Sequence, residues 1–399
     1  MKQTETNEIK VISKKLDEAC FIDFGTRVVQ KKDGGAIFPV YGGGGATFKM
    51  DSYNRENCLV VSRFAMSKQC TRFVEGKFYL NDSGLTVRPK NEKELSKEYL
   101  DYLLLTLNDI IYSLSRGTAQ RNLNVTKFRN LEIKYPDSIE LQLHFANLLS
   151  KSETLIAQRK ESIRLLDEFL KSTFLEIFGE CTKNEKNWNK IELKYFGEII
   201  TGNTPPRNNY ENYSSNFIEW IKTDNIPVDD TYISKAAEYL SESGLRYART
   251  VESGALLVAC IAGSIQSVGR AALTNRKVSF NQQINAIQPN EDIEPLYLYW
   301  LFKISRKYIQ DAASNGMKKI LTKGGFEKIK MIKPPIELQT QFAQIVEKTD
   351  ALKTQYQQSL QELENMYGSL SQKAFKGELS VKENNLMMAA EPNIEYKML

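Results

Sequence analysis

Cysteine and histidine are the residues that hold zinc or act as nucleophile and base, and this sequence has few of them. Its 399 residues hold five cysteines, Cys20, Cys58, Cys70, Cys181 and Cys260, and one histidine, His144. No C-x-x-C pair occurs, and the closest two cysteines are twelve apart, whereas a zinc site takes its ligands in close pairs. A Ser-His or Cys-His nucleophile would have to work through His144. That residue stands between Leu143 and Phe145 in a helical segment and reads as a packing or surface position. Nucleotide chemistry lacks its signature as well. There is no G-x-x-x-x-G-K-[ST] loop, no strand-anchored G-x-G for a methyl-donor cofactor, and no Asn-Pro-Pro-aromatic run; Lys333-Pro334-Pro335-Ile336 lacks both ends of that motif. The Glu-x-Lys triplets Glu75-Gly76-Lys77 and Glu132-Ile133-Lys134 have no upstream Pro-Asp, so nuclease chemistry is not expected. The expectation is a non-catalytic chain with no metal and no cofactor of its own.

Binding residues are more evident. Arg, Lys, Asn, Gln and Thr are the side chains that bond phosphates and base edges, and they gather in loops. Tyr41-Gly42-Gly43-Gly44-Gly45-Ala46-Thr47 offers a backbone that phosphate could approach closely. The candidates there are Tyr41, Gly43, Gly44 and Thr47, with Arg63, Lys68 and Arg72 following. Thr201-Gly202-Asn203-Thr204-Pro205-Pro206-Arg207 supplies Thr201, Asn203, Thr204 and Arg207, and Trp220-Ile221-Lys222-Thr223-Asp224-Asn225-Ile226 supplies Lys222, Thr223 and Asp224. Two further clusters sit at corresponding places, Arg116, Gln120 and Arg121 in one half and Lys318 and Lys319 in the other. A single cluster of this kind also fits a solvated loop; its recurrence favours binding.

The elements that must position these loops come in two copies. Ile139-Glu140-Leu141-Gln142-Leu143-His144-Phe145-Ala146 matches Ile336-Glu337-Leu338-Gln339-Thr340-Gln341-Phe342-Ala343 at six of eight positions, at an offset of 197. The match runs on through Lys151/Lys348, Leu155/Leu352 and Leu166/Leu363, and upstream through Tyr99/Tyr297, Phe128/Phe326 and Pro136/Pro334. Leu149, Ile156, Ile163, Leu170 and Ile177 recur every seven residues, and Ile345, Thr349, Leu352, Tyr356, Ser359, Leu363, Met366 and Leu370 step by four and three. Such a spacing is a coiled-coil seam. Pro136 and Pro334-Pro335 suit the helix starts, and Gly179 and Gly377 the stops. Each helix of about 40 residues would span about 60 Å. Paired antiparallel, the two would make a rod between two heads, with an approximate two-fold axis.

The expected organisation is a first head over 11–135, a helix over 136–180, a second head over 188–333, a helix over 334–379 and a polar tail over 380–399. Strand-like runs at Ala36–Tyr41, Cys58–Ser62, Gly84–Val87, Phe217–Ile221, Ala255–Cys260 and Ile284–Ile287 join amphipathic helices at Lys97–Leu107 and from Pro295 onward. The fold class is therefore α+β: two globular domains separated by two long antiparallel helices, with an internal pseudo-two-fold repeat. Hydrophobic residues are 41% and charged residues 26%, which excludes collagen-like and disordered classes. No run approaches the roughly 20 apolar residues of a membrane helix, and the polar Met1–Lys10 has no secretory core, so a cytoplasmic location is expected. The net charge of +5 decides little, because binding needs a local patch.

In order and duplication these features resemble the specificity (S) subunits of Type I restriction-modification enzymes. The carrying strings are the two "IELQ..FA" helix starts, "TGNTP" with "WIKTDNI", "PVYGGGG" and "RGTAQRNLN", and the resemblance covers Val11 to about Leu379. It implies two target-recognition domains, each for one half of a bipartite, asymmetric site in double-stranded DNA. It implies helices that act as spacer and docking surface for two methyltransferase (M) subunits, through seam residues Leu149, Ile156, Ile163, Leu170, Ile345, Leu352, Leu363 and Leu370. Restriction (R) subunits would join that complex. S-adenosylmethionine, ATP and Mg would belong to the partner subunits, and this chain would have no active site. One departure is that the first head lacks the "TGNTP" and "WIKTDNI" strings of the second. The rival readings are a stand-alone methyltransferase or nuclease, which needs motifs absent here, and a coiled-coil adaptor, in which the duplicated basic loops would be idle.

Overall fold

The computed structural model describes residues 10–261, 267–313 and 320–376. Lys318, Lys319, Gly377 and the polar tail lie outside the described residues. The described residues form two compact units, one drawn from 10–160 and 358–376, the other from 161–357. Both long helices, Ile139–Phe178 and Ile336–Lys376, contribute to each unit.

In the first unit a six-stranded sheet has the order Cys20–Phe24, Gly84–Pro89, Arg55–Ser62, Thr71–Leu80, Phe38–Tyr41, Ala46–Met50. Its pairings are antiparallel except that of Phe38–Tyr41 with Thr71–Leu80. Alternation sends Leu59 and Val61 into one core with Leu85, Val87, Tyr99 and Leu103, and Val60 into another with Val74, Phe78 and Leu80. Helix Lys97–Thr106 starts where the Ser96 hydroxyl accepts the Tyr99 N–H at 3.1 Å. The beginning of the first long helix joins the same core through Phe145 and Leu149, and the end of the second joins it through Leu370. Glu153 accepts hydroxyls from Tyr102 at 3.0 Å and Tyr367 at 2.8 Å, while Lys160 reaches Glu364 at 2.8 Å. Partner numbers fall as these rise, so the helices run antiparallel here.

The second unit holds two four-stranded sheets. One runs Gly197–Thr201, Ile284–Pro289, Leu256–Ala259, Ala271–Leu273; the other runs Tyr239–Leu240, Ile218–Ile221, Val278–Phe280, Thr250–Val251. Helix Pro295–Ile304 is buried along most of its length. Its Tyr297 packs on Phe178 with ring centres 4.9 Å apart, and Phe342 packs on Phe174 at 5.3 Å and on Trp300 at 5.9 Å. Lys353 meets Asp167 at 2.8 Å, so the helices are antiparallel in this unit also. Gly179, at φ +73°, closes the first long helix by donating to the Leu175 carbonyl at 2.9 Å.

The repeated glutamines explain part of the duplicated string. Gln142 is fully buried; it accepts the Ser96 N–H at 2.8 Å and donates to the carbonyls of Glu94 and Pro136 at 2.8 and 2.7 Å. Gln339, equally buried, accepts the Glu294 N–H at 3.0 Å and donates to those of Asp292 and Pro334 at 3.4 and 2.8 Å. In both units one amide thus ties the start of a long helix to the N-cap of an earlier short helix, Lys97–Thr106 in one and Pro295–Ile304 in the other.

The seam residues face inward with one exception. Leu149, Leu170 and Leu370 are buried, and Ile156, Ile163, Ile345 and Leu363 are half-buried. Leu352 is 36% exposed, and Lys353 takes the inward position instead. Its ammonium reaches Asp167. Leu149, Leu170 and Leu370 are therefore covered by the chain itself, and the half-buried seam residues are covered in part. No helix among the described residues is long and apolar enough to cross a membrane.

Candidate nucleic-acid interface

In the first head, sequence-distant candidates meet at one group of loops. The Gly43 N–H donates to Ser83 Oγ at 3.0 Å, and Ser62 Oγ donates to the Gly43 carbonyl at 2.6 Å. Met66 N–H donates to the Arg121 carbonyl at 2.8 Å, and Leu123 N–H to the Arg63 carbonyl at 2.8 Å. The glycine loop, the segment after strand Arg55–Ser62 and the hairpin Ser115–Leu123 are thereby one surface. Arg72 donates to the Gly43 carbonyl at 2.7 Å and also bonds the Gly44 carbonyl, which fixes the loop. Arg63 lies over Phe24 and Phe64, 4.8 and 4.6 Å from their ring centres, and Arg121 lies 4.9 Å from that of Tyr112. Lys68, Arg116 and Gln120 are exposed beside them, and so is Thr47, whose hydroxyl donates to the Val40 carbonyl at 3.1 Å. Tyr41 packs edge-on against Phe78 at 5.4 Å and serves the core.

The four glycines of this loop do two different things. A Cβ on Gly42 would meet Ser83 Oγ at 2.2 Å, and one on Gly43 would meet the Phe64 carbonyl at 2.7 Å. Nothing in the chain stands within 4 Å of a Cβ on Gly44 or Gly45, and both are exposed. Packing requires the first pair. The second pair leaves bare backbone open to whatever approaches from outside.

In the second head the "TGNTP" string is chiefly a scaffold. Thr201 Oγ1 donates to Asn285 Oδ1 at 2.7 Å, Thr204 bonds Gln282, and Asn203 accepts the Arg249 N–H at 3.0 Å while donating to the Tyr247 carbonyl. Trp220 Nε1 donates to the Asn203 carbonyl at 3.3 Å, and the Tyr213 hydroxyl to that of Pro205 at 2.8 Å. A Cβ on Gly202 would meet the Asn281 and Phe280 carbonyls at 2.3 and 2.4 Å. The side chains of Thr201, Asn203 and Thr204 are therefore engaged within the head. Thr223 offers its carbonyl to Arg270 at 3.2 Å, and Asp224 is exposed. Arg207 and Lys222 are brought together by Glu238, which sequence reasoning missed because it lies in no motif and is distant in the chain. The Lys222 hydrogen bond holds the Glu238 carboxyl below its ordinary pKa, partial burial opposes that, and the Arg207 bond adds to it.

The cysteines take no part. All five are buried; burial pushes the Cys20 and Cys260 thiols up to about 12 and that of Cys70 up to about 11, far from nucleophilic thiolates.

Comparison with known proteins adds the following. A family model described as the Type I restriction modification DNA specificity domain matches residues 50–165 and 185–365. The chain is 31% identical over 173 residues to the Type I restriction enzyme HindI specificity subunit of Haemophilus influenzae, covering 41% of this chain and 36% of that relative. It is 23% identical over 335 residues to the putative Type I restriction enzyme MjaX specificity subunit of Methanocaldococcus jannaschii, covering 77% and 74%. Among solved structures, the S subunit of a Type I restriction-modification system from M. genitalium superposes with a TM-score of 0.62 at 17% identity, over 94% of this chain and 98% of that one. A chain from a study of complex assembly in the type I R-M system gives 0.55 at 18% identity, over 92% and 98%.

Proposed function

Because the chain belongs to the Type I restriction-modification specificity family, we propose that it is the DNA-reading subunit of such a complex. Each head reads one half of a bipartite, asymmetric site in double-stranded DNA. M subunits dock on the long helices, R subunits join them, and the complex works in the cytoplasm. Catalysis, with its S-adenosylmethionine, ATP and Mg, resides in those partners, and this chain supplies specificity alone.

The observation that carries this reading is the convergence in the first head. Three basic and glycine-rich stretches, far apart in sequence, share one loop surface, and two of its glycines are kept small without any packing demand. A positively charged surface with accessible backbone is what a phosphodiester chain binds. The helices can hold partners through exposed apolar side chains. Leu165 and Phe169 are 49% and 51% exposed and stand four residues apart, on one face.

The test is co-purification with M subunits encoded beside this gene, followed by methylome sequencing with and without it. A bipartite methylated motif should vanish when the gene is removed. Methylation unchanged by its loss, or methyl transfer by the pure chain, would sink the proposal.

A further inference from the structure

On the second head one carboxylate holds two cations above one indole. Glu238 accepts from Arg207 Nη2 at 2.8 Å and, through its other oxygen, from Lys222 Nζ. The Arg207 guanidinium lies 4.7 Å from the ring centre of Trp220 and 4.6 Å from that of Tyr213; the Lys222 ammonium lies 5.1 Å from Trp220. The rings thus hold both cations in one place beside the carboxylate that joins them. All three charged side chains remain open to solvent, Arg207 at 53%, Lys222 at 30% and Glu238 at 37% exposure. Exposed pairs of this kind contribute about 0–1 kcal/mol to folding, so stability gives little reason for the arrangement.

Recognition gives a better one. A phosphodiester carries one negative charge and two terminal oxygens, as a carboxylate does, so it can take the same two donors. We propose that Arg207 and Lys222 form a clamp for a DNA backbone phosphate, and that Glu238 is its built-in competitor, seated in the clamp until phosphate replaces it. This rests on the DNA-reading function above and adds that this part of the head grips DNA without reading it. Backbone contacts supply affinity on every sequence. A clamp that must first release its own carboxylate binds all DNA more weakly, which leaves base contacts a larger share of the binding free energy.

The experiment uses the full chain, co-purified with its M subunits, and a labelled short duplex of mixed sequence between about 50 and about 300 mM salt. Glu238→Gln empties the clamp. It should tighten binding about three- to tenfold at low salt and steepen the dependence of log K on log salt by about 0.9, one further phosphate contact. Lys222→Gln leaves a neutral Arg207–Glu238 pair and should weaken binding and flatten that slope. The double change Glu238→Gln with Arg207→Gln should return both readouts toward wild type. Glu238→Asp keeps the charge and shortens the reach, so it should fall between wild type and Glu238→Gln, and it serves if the glutamine variant unfolds. Unchanged affinity and slope in Glu238→Gln, with wild type binding duplex normally, would overturn the clamp and leave the DNA reading intact. Failure of the wild-type complex to bind any duplex would overturn both.

Discussion

Replacing Gln339 with leucine keeps the side-chain volume and removes three hydrogen bonds where water does not reach. The Glu294 N–H and two carbonyls would be stranded, at a cost of about 3 kcal/mol in unfolding free energy. Denaturant titration reads this directly, and a loss below about 1 kcal/mol would mean the amide is not what ties the helix start. Sequence alone marked the residue as duplicated but not why, since its partners are backbone groups that carry no side-chain signature. The candidate loops show the same limit. Residue type pointed to Thr201, Asn203 and Thr204, yet a donor suited to a base edge is equally suited to a carbonyl of its own head, and only packing decides. Asp101 gives a second prediction at this scale. Burial pushes its carboxyl up to about 6 from an ordinary 3.8, against the lowering pull of Lys97. The folded state therefore binds the proton more tightly than the unfolded state. Its contribution is full below the unfolded value and is lost as pH rises through the folded one. Wild type should gain on Asp101→Asn by about 2 kcal/mol as pH falls from about 7 to about 4. A difference that is flat with pH would show that the carboxyl does not titrate there.

Periodic elements were the most legible. The 3.5-residue spacing placed both long helices, and every run expected as a strand lies on one of the observed strands, because alternation and heptads are local patterns. Thr71–Leu80 was missed. Its Glu75-Gly76-Lys77 breaks the alternation, and the structure shows why: Gly76, at φ +72°, donates to Asn57 Oδ1 at 2.7 Å across a bulge. Leu352 was misplaced for a related reason. Hydrophobicity favoured leucine for the seam, whereas the pairing with Asp167 selects Lys353. Sheet order was not legible, because a parallel pairing such as that of Val40 with Tyr79 leaves no mark in either strand. At this scale the exposed face of the first long helix makes a prediction. If Leu165 and Phe169 carry an M subunit, Phe169→Ala should weaken the complex by about 2 kcal/mol, about thirtyfold in affinity. Unfolding of the isolated chain should hardly change, since the side chain is half exposed. Equal binding of both forms in a pull-down titration would put docking on another face.

Each head has its own hydrophobic clusters, and this bears on how specificity is organised in the whole molecule. Leu59, Val61, Leu85 and Tyr99 share one core in the first unit, while Leu256, Val258, Tyr297 and Trp300 share another in the second. Domains with separate cores can be exchanged when their junctions are respected. The junction of the second head is demanding, because Tyr297 packs between Phe174 and Phe178 of one long helix and its neighbour Trp300 packs on Phe342 of the other. A chimera that replaces 188–333 with a second head from another family member must therefore keep aromatic residues at 297 and 300 and the amide bonds of Gln339. Built so, it should fold, dock its M subunits and methylate a site in which one half is changed and the other is kept. Methylome sequencing of cells carrying the chimera gives the answer. A motif altered in both halves, or in neither, from a chimera that still binds its M subunits would show that the heads do not read DNA independently, and that the duplicated helix starts preserve a common architecture without dividing the recognition between two readers.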